Sequence, residues 1–106
     1  MSYRFMRIML FFDLPTETLQ QRREYTRFRK HLLKSGFLML QESVYCKIAL
    51  NQAAVNVAYT ALQKNKPSKG LVQMLVITEK QFSKMEFILG SGQGDILNTD
   101  ERFVEL

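Results

Sequence analysis

Apolar positions along this 106-residue chain fall into runs whose period changes at a few punctuating residues. Residues 4–12 form a short run containing the unbroken stretch Ile8-Met9-Leu10-Phe11-Phe12, and it closes on Asp13-Leu14-Pro15. A run of that length, ended by a turn signal, predicts a buried strand. In residues 18–35 the period lengthens. Tyr25, Phe28 and Leu32 recur at i, i+3 and i+7, one face of a helix. Thr16 or Thr18 can cap it, Thr18 and Gln21 having capping-box spacing, and Gly36 stops it with Lys34 in the last turn.

Residues 37–48 read as extended, with Gln41-Glu42 as the interruption. Two antiparallel strands or one strongly bent strand both satisfy this pattern. Ser43 and Tyr45 then share one strand face, Val44 and Cys46 the other. Residues 51–64 carry Ala54, Val55, Ala58 and Leu62 at helical spacing. Lys64 to Gly70 is a basic loop and Leu71 to Thr78 another apolar strand. A short helix over 79–86, a flexible turn at Gly90–Gly94 and a last short strand at Phe103–Leu106 complete the reading.

The order strand, helix, strand, strand, helix, strand predicts an α+β fold, a ferredoxin-like βαββαβ sandwich over residues 1–90. Residues 91–106 form a tail with an extra C-terminal strand. A four-stranded sheet has edges that need cover. The tail strand is expected to supply it, either on its own subunit or, the favoured alternative, on the sheet of a symmetric second subunit.

Charge narrows the function. The chain carries +5 with pI ≈ 9.6 and is 46% hydrophobic, an ordinary folded composition. That balance favours anionic partners, nucleic acid before acidic membrane surfaces. Arg22, Arg23, Arg27, Arg29, Lys30 and Lys34 stand against Glu24 alone in residues 18–35, leaving +5 there, so the remainder is neutral in sum. Cys46 is the single cysteine, which excludes an internal disulfide and fits a reducing cytoplasm. The N-terminal apolar run is broken by Arg4 and Arg7 and is too short to span a bilayer. A cytoplasmic protein is expected. A P-loop, a dinucleotide fingerprint and a Cys/His metal cluster are all missing from the sequence.

Arg23, Arg27, Lys30 and Lys34 follow i, i+4, i+7 and i+11, opposite the apolar face. At ~1.5 Å per residue the row is about 16 Å long, comparable to several phosphates along a duplex strand. A merely solvated helix usually mixes signs to gain i,i+4 pairs. Lys66 and Lys69, with Lys64, form a second cluster, either a further phosphate contact or an ordinary hydrophilic loop. Asp13 either turns or caps the chain before the helix, or holds Mg²⁺ together with a symmetry-related Asp13. The Ser43 and Tyr45 hydroxyls either bond a ligand, a metal-bound water or a dimer partner, or make the routine polar contacts of a half-buried strand. His31, the only histidine, is assigned no catalytic role, and Cys46 is read as a small core residue.

The chain resembles the CRISPR-associated protein 2 family, in particular members from type II-A systems. The matching stretches are Met9-Leu10-Phe11-Phe12-Asp13-Leu14-Pro15, Tyr25-Thr26-Arg27-Phe28-Arg29-Lys30, Gly36-Phe37, Gln41-Glu42-Ser43-Val44-Tyr45-Cys46-Lys47, Asn65-Lys66-Pro67-Ser68-Lys69-Gly70 and Thr78-Glu79-Lys80-Gln81-Phe82. Together they cover nearly the whole chain in order. The resemblance implies a homodimer whose C-terminal strand adds to the partner's sheet, and two Asp13 residues sharing a divalent metal, Mg²⁺. It implies a scaffold that binds duplex protospacer DNA and bridges CRISPR integrase subunits during spacer acquisition. It also implies an alternative role as a metal-dependent endonuclease on single-stranded RNA or duplex DNA, including a toxin-like ribonuclease, with Asp13 as metal ligand and Ser43 placing water. The tail departs from a DNA-binding surface: Asp95, Asp100, Glu101 and Glu105 make it acidic and suit it to a protein partner. A third reading, a small-molecule regulatory domain of the same fold, is disfavoured by the long cationic row.

Overall fold

The computed structural model describes residues 5–91. Seven elements follow in order: β1 (Met6–Asp13), α1 (Leu19–Lys34), β2 (Leu38–Gln41), β3 (Val44–Ala49), α2 (Gln52–Asn65), β4 (Leu71–Thr78) and α3 (Glu79–Ser83). The four strands form one antiparallel sheet in the order β2-β3-β1-β4, which is the ferredoxin-like arrangement expected. The expected C-terminal strand at 103–106 and the tail from residue 92 lie outside the described residues.

Local chemistry sets the ends of α1. Thr18 is its N-cap: the Gln21 backbone N–H donates to Thr18 Oγ1 at 3.0 Å, and the Thr18 N–H donates to Gln21 Oε1 at 3.1 Å. The helix closes in a Schellman pattern. Gly36 takes φ +94°, its N–H reaches the Leu33 carbonyl at 3.2 Å, and the Phe37 N–H reaches Leu32 at 3.0 Å. Lys47 adds a charge-assisted bond from Nζ to the Ser35 carbonyl at 2.5 Å. Asn51 caps α2 by accepting from the Ala54 N–H at 2.8 Å. Because α3 ends at Ser83, the last helix is shorter than the period of residues 79–86 suggested.

The alternative left open for residues 37–48 is resolved as a hairpin. Glu42 and Ser43 form its turn, with Ser43 at φ +74° and a register shift between Met39 and Gln41. The expectation that Ser43 and Tyr45 share a strand face is therefore corrected. A two-residue turn demands left-handed backbone, so Ser43 leaves the strand, while Tyr45 is buried in the core.

Strand alternation divides the sheet into two unlike faces. Ile8, Leu10 and Phe12 of β1, with Tyr45 and Ala49 of β3, meet Phe28 and Leu32 of α1 and Val55, Ala58 and Leu62 of α2. Phe12 sits at the centre. Its ring packs edge-on to Tyr25 and Phe28, with centroids 6.1 and 5.4 Å away, and stacks on Tyr45 at 5.5 Å. The other face carries Met9, Phe11, Cys46 and Ile48, and opposite β1 it carries Leu71, Leu75 and Ile77. Ile48, Leu71 and Leu75 are each about half exposed there, at 47%, 54% and 53%.

The loop entering β4 is fitted closely to the end of β1. Gly70 has φ +104°, and a Cβ there would lie 2.7 Å from the Asp13 carbonyl oxygen and 2.8 Å from Leu14 Cδ2. Gly70→Ala is expected to destabilise the protein by ~2 kcal/mol or more. Urea unfolding of the two proteins checks it.

Candidate nucleic-acid interface and metal position

The cap and stop of α1 hold one helix face against the sheet and leave the other to solvent. Phe28 and Leu32 are buried, and Tyr25 is half-buried beside Phe12. On the opposite side Arg23, Arg27, Lys30 and Lys34 are all exposed, as the periodicity predicted. A shallow groove runs along this side between Leu19, Arg22, Arg23, Thr26, Arg27 and Lys30. Arg22 is turned back on the chain. Its Nη1 donates to the Thr16 and Glu17 carbonyls, both at 3.2 Å, and so braces the turn before the helix.

The basic loop lies along the flank of this helix. Pro67, Ser68 and Lys69 close a cavity of about 180 Å³ with Leu14, Pro15, Thr18, Gln20, Gln21, Glu24 and Tyr25. Glu24 fastens the contact. It accepts the Ser68 backbone N–H at 2.9 Å and the Ser68 hydroxyl at 2.8 Å on Oε1 and 3.0 Å on Oε2. Gln20 Nε2 adds a bond at 3.1 Å. The Ser68 backbone N–H, then its hydroxyl, then Gln20 hold the Glu24 carboxyl below the usual carboxylate range. Lys66 Nζ is bonded to Gln63 Oε1 at 3.1 Å. The structure thus brings the segment bearing Lys66 and Lys69 beside the Arg23–Lys34 helix.

Asp13 is the exposed last residue of β1. Pairing with Leu71 and alternation from buried Phe12 put it on the face of the sheet away from the helices. It does not cap α1, since Thr18 does, and among the described residues its carboxylate accepts no hydrogen bond. Ser43 is brought to the same end of the sheet, its carbonyl accepting the Phe12 N–H at 3.1 Å. Among the described residues, no group of three or more His, Cys, Asp or Glu could hold a metal. One Asp is a poor Mg²⁺ site by itself, so the donor set fits the ion only as half of a site shared with a second copy.

Two features of the structure escaped the sequence reading. Arg7 makes a bidentate pair with Glu79, Nε to Oε1 at 3.0 Å and Nη2 to Oε2 at 2.6 Å, and its guanidinium lies 4.0 Å from the centre of the Phe82 ring. This pair joins α3 to the sheet beside Cys46, which is fully buried on the face away from the two long helices, its thiol pushed up by that burial. The other is the Glu24–Ser68 bond. Its partners are 44 residues apart, and the one visible signal was a lone acid in a basic helix. Among the described residues, the His31 ring makes one side-chain hydrogen bond, Nε2 with Ser35 Oγ at 3.5 Å. No helix among the described residues is long and apolar enough to cross a membrane.

Comparison with known proteins bears on the family and the fold. A family model described as "CRISPR associated protein Cas2" matches residues 6–85. The chain is similar to the CRISPR-associated endoribonuclease Cas2 of Treponema denticola, 50% identical over 95% of this chain and 100% of that one. It is similar to proteins of the same name from Ligilactobacillus salivarius, 43% identical over 95% and 100%, and from Streptococcus mutans, 45% identical over 95% and 93%. A solved structure titled "Crystal structure of cas2" superposes with a TM-score of 0.61 at 17% identity, covering 89% of this chain and 97% of that one, which supports the fold.

Because the folded-state pKa of Glu24 is depressed, its contribution to stability is complete above the unfolded carboxylate value and is lost as pH falls through the lowered folded value. Ser68→Ala removes the hydroxyl and keeps the N–H. It is expected to raise the Glu24 pKa part of the way towards the usual range, read by NMR titration of the side-chain carboxyl.

Proposed function

The chain belongs to the CRISPR associated protein Cas2 family, and on that premise we propose that it is the non-integrase subunit of CRISPR adaptation, a dimeric scaffold that grips duplex protospacer DNA by its phosphates. The observation that carries this reading is the exposed row Arg23, Arg27, Lys30 and Lys34, with Lys66 and Lys69 on the neighbouring loop. Such a row neutralises phosphates and releases counterions but reads no base, since charge on the backbone carries no sequence information. That suits a protein which must hold DNA of any sequence.

The apolar face of the sheet supports the homodimer. Half-exposed Ile48, Leu71 and Leu75 on one side of a small domain are suited to burial against the same face of a second copy. Asp13 belongs to that face, so a two-fold axis there would let two Asp13 carboxylates hold one Mg²⁺. The integrase subunit is the further protein partner in this reading.

A second reading, a metal-dependent endonuclease, is favoured by the endoribonuclease name of the relatives and by the Asp13 carboxylate, which accepts no hydrogen bond among the described residues. Bound Mg²⁺ would supply charge stabilisation at a phosphate and an activated water. In this chain Asp13 would hold the ion and Ser43, at the same sheet end, would help to orient the attacking water. Among the described residues no group of three or more His, Cys, Asp or Glu could hold a metal, so the nuclease reading, like the shared Mg²⁺ site, needs a second copy of the chain to complete it.

Binding to a labelled DNA duplex should weaken ~10³-fold between roughly 50 and 200 mM salt. Arg27→Glu with Lys30→Glu should abolish it while leaving the dimer intact, and unchanged affinity in that variant would overturn the scaffold reading. With Mg²⁺ present the DNA should emerge uncut on a denaturing gel. Cleavage of DNA or RNA that disappears in Asp13→Ala would instead make the nuclease the primary activity.

A further inference from the structure

Glu24 is out of place in a surface built only to attract phosphate. It is the single carboxylate of residues 18–35, and by charge alone it weakens the field of the row it interrupts. Both carboxylate oxygens are nevertheless engaged. Oε1 takes the Ser68 N–H at 2.9 Å, and the Ser68 hydroxyl lies 2.8 Å from Oε1 and 3.0 Å from Oε2. The loop is secured on either side of this bond as well. Before it, Lys66 Nζ meets Gln63 Oε1 at 3.1 Å. After it, Gly70 lies so close to Asp13 and Leu14 that no Cβ fits. The two loop lysines named above flank Ser68 at two residues before and one after. In a free loop they would have to be ordered each time DNA bound, with a loss of backbone and side-chain entropy set against their attraction to phosphate.

We propose that Glu24 is a positioning residue: it latches the Lys66–Lys69 loop to α1, so that loop and helix meet a nucleic-acid backbone as one preorganised cationic surface. This rests on the phosphate-binding reading above and assigns that surface its internal support. The local loss of one unit of positive charge is offset by two lysines delivered in fixed register with the helix.

The test separates latch from charge. If Glu24 acts only as a charge, Glu24→Ala makes the protein more basic, tightens binding to a duplex and leaves the effect of the loop lysines untouched. If it is the latch, Glu24→Ala fails to tighten binding. The pair Lys66→Ala and Lys69→Ala, expected to lower the slope of log K against log salt by about 2 in the parent, should then change it much less in the Glu24→Ala background. Glu24→Gln, which keeps an acceptor oxygen for Ser68 without the charge, should restore most of the lysines' effect. Tighter binding with the lysine effect intact in Glu24→Ala would overturn the proposal.

Amide hydrogen exchange on the full chain without DNA gives an independent readout. The Ser68 N–H should exchange at least ~10-fold faster in Glu24→Ala than in the parent, and an unchanged rate overturns the latch. A parent that does not bind DNA at all overturns the phosphate reading itself. The two failures are distinguishable, because in the second case Ser68 exchange still responds to Glu24→Ala.

Discussion

The ring of Phe12 is the constraint on which the remaining geometry depends. Buried at the end of β1, it meets Tyr25 and Phe28 of α1 and Tyr45 of β3, so one side chain joins the first helix, the central strand and its neighbour. Three aromatic contacts with edge-on or stacked geometry add specificity of orientation to the area they bury. They set the rotation of α1 about its axis. With Phe28 and Leu32 turned inward, the cationic positions have only the solvent side left. The same ring settles the next residue. A strand cannot turn two successive side chains to one face, so inward Phe12 sends Asp13 to the opposite face of the sheet.

The molecule is thereby divided into two surfaces of different chemistry. The helix side is hydrophilic and positive, and the attraction to a phosphate backbone proposed for it would be long-ranged and sensitive to salt. The free sheet face is apolar, and its attraction is short-ranged and proportional to the area it can bury. Arg7, Gln73 and Asp13 are polar positions on that face, and Arg7 is neutralised by Glu79 and lies over the Phe82 ring. Placing Asp13 on the apolar face separates the candidate metal position from the candidate DNA surface. In the proposed dimer the ion would belong to the interface between subunits, while the DNA would cross the outside. The proposed scaffold role, holding DNA without cutting it, would be well served by that separation.

Much of this is legible in the order of the residues. The hydrophobic period identifies β1, β4, both long helices and the extended character of residues 37–48, because alternation and the 3.6-residue repeat are imposed by the backbone over a few residues. Thr18, Gln21 and Gly36 mark the ends of α1 for the same reason: each acts on backbone groups within one turn of itself. The cationic row is legible because helix geometry alone converts the spacing of Arg23, Arg27, Lys30 and Lys34 into a line.

What the sequence by itself determined is therefore the order of elements, the ends of α1, the two faces of that helix and an acid at the end of β1. Only the tertiary structure decided that residues 37–48 form a hairpin with Ser43 in its left-handed turn, that Tyr45 is core, and that one sheet face remains apolar and open. It alone revealed Glu24 bound to Ser68 and Arg7 bound to Glu79. Periodicity and capping are written in neighbours along the chain. Strand register, the cover of a face and bonds between residues 44 or 72 apart exist only once the core has packed and brought distant segments within reach.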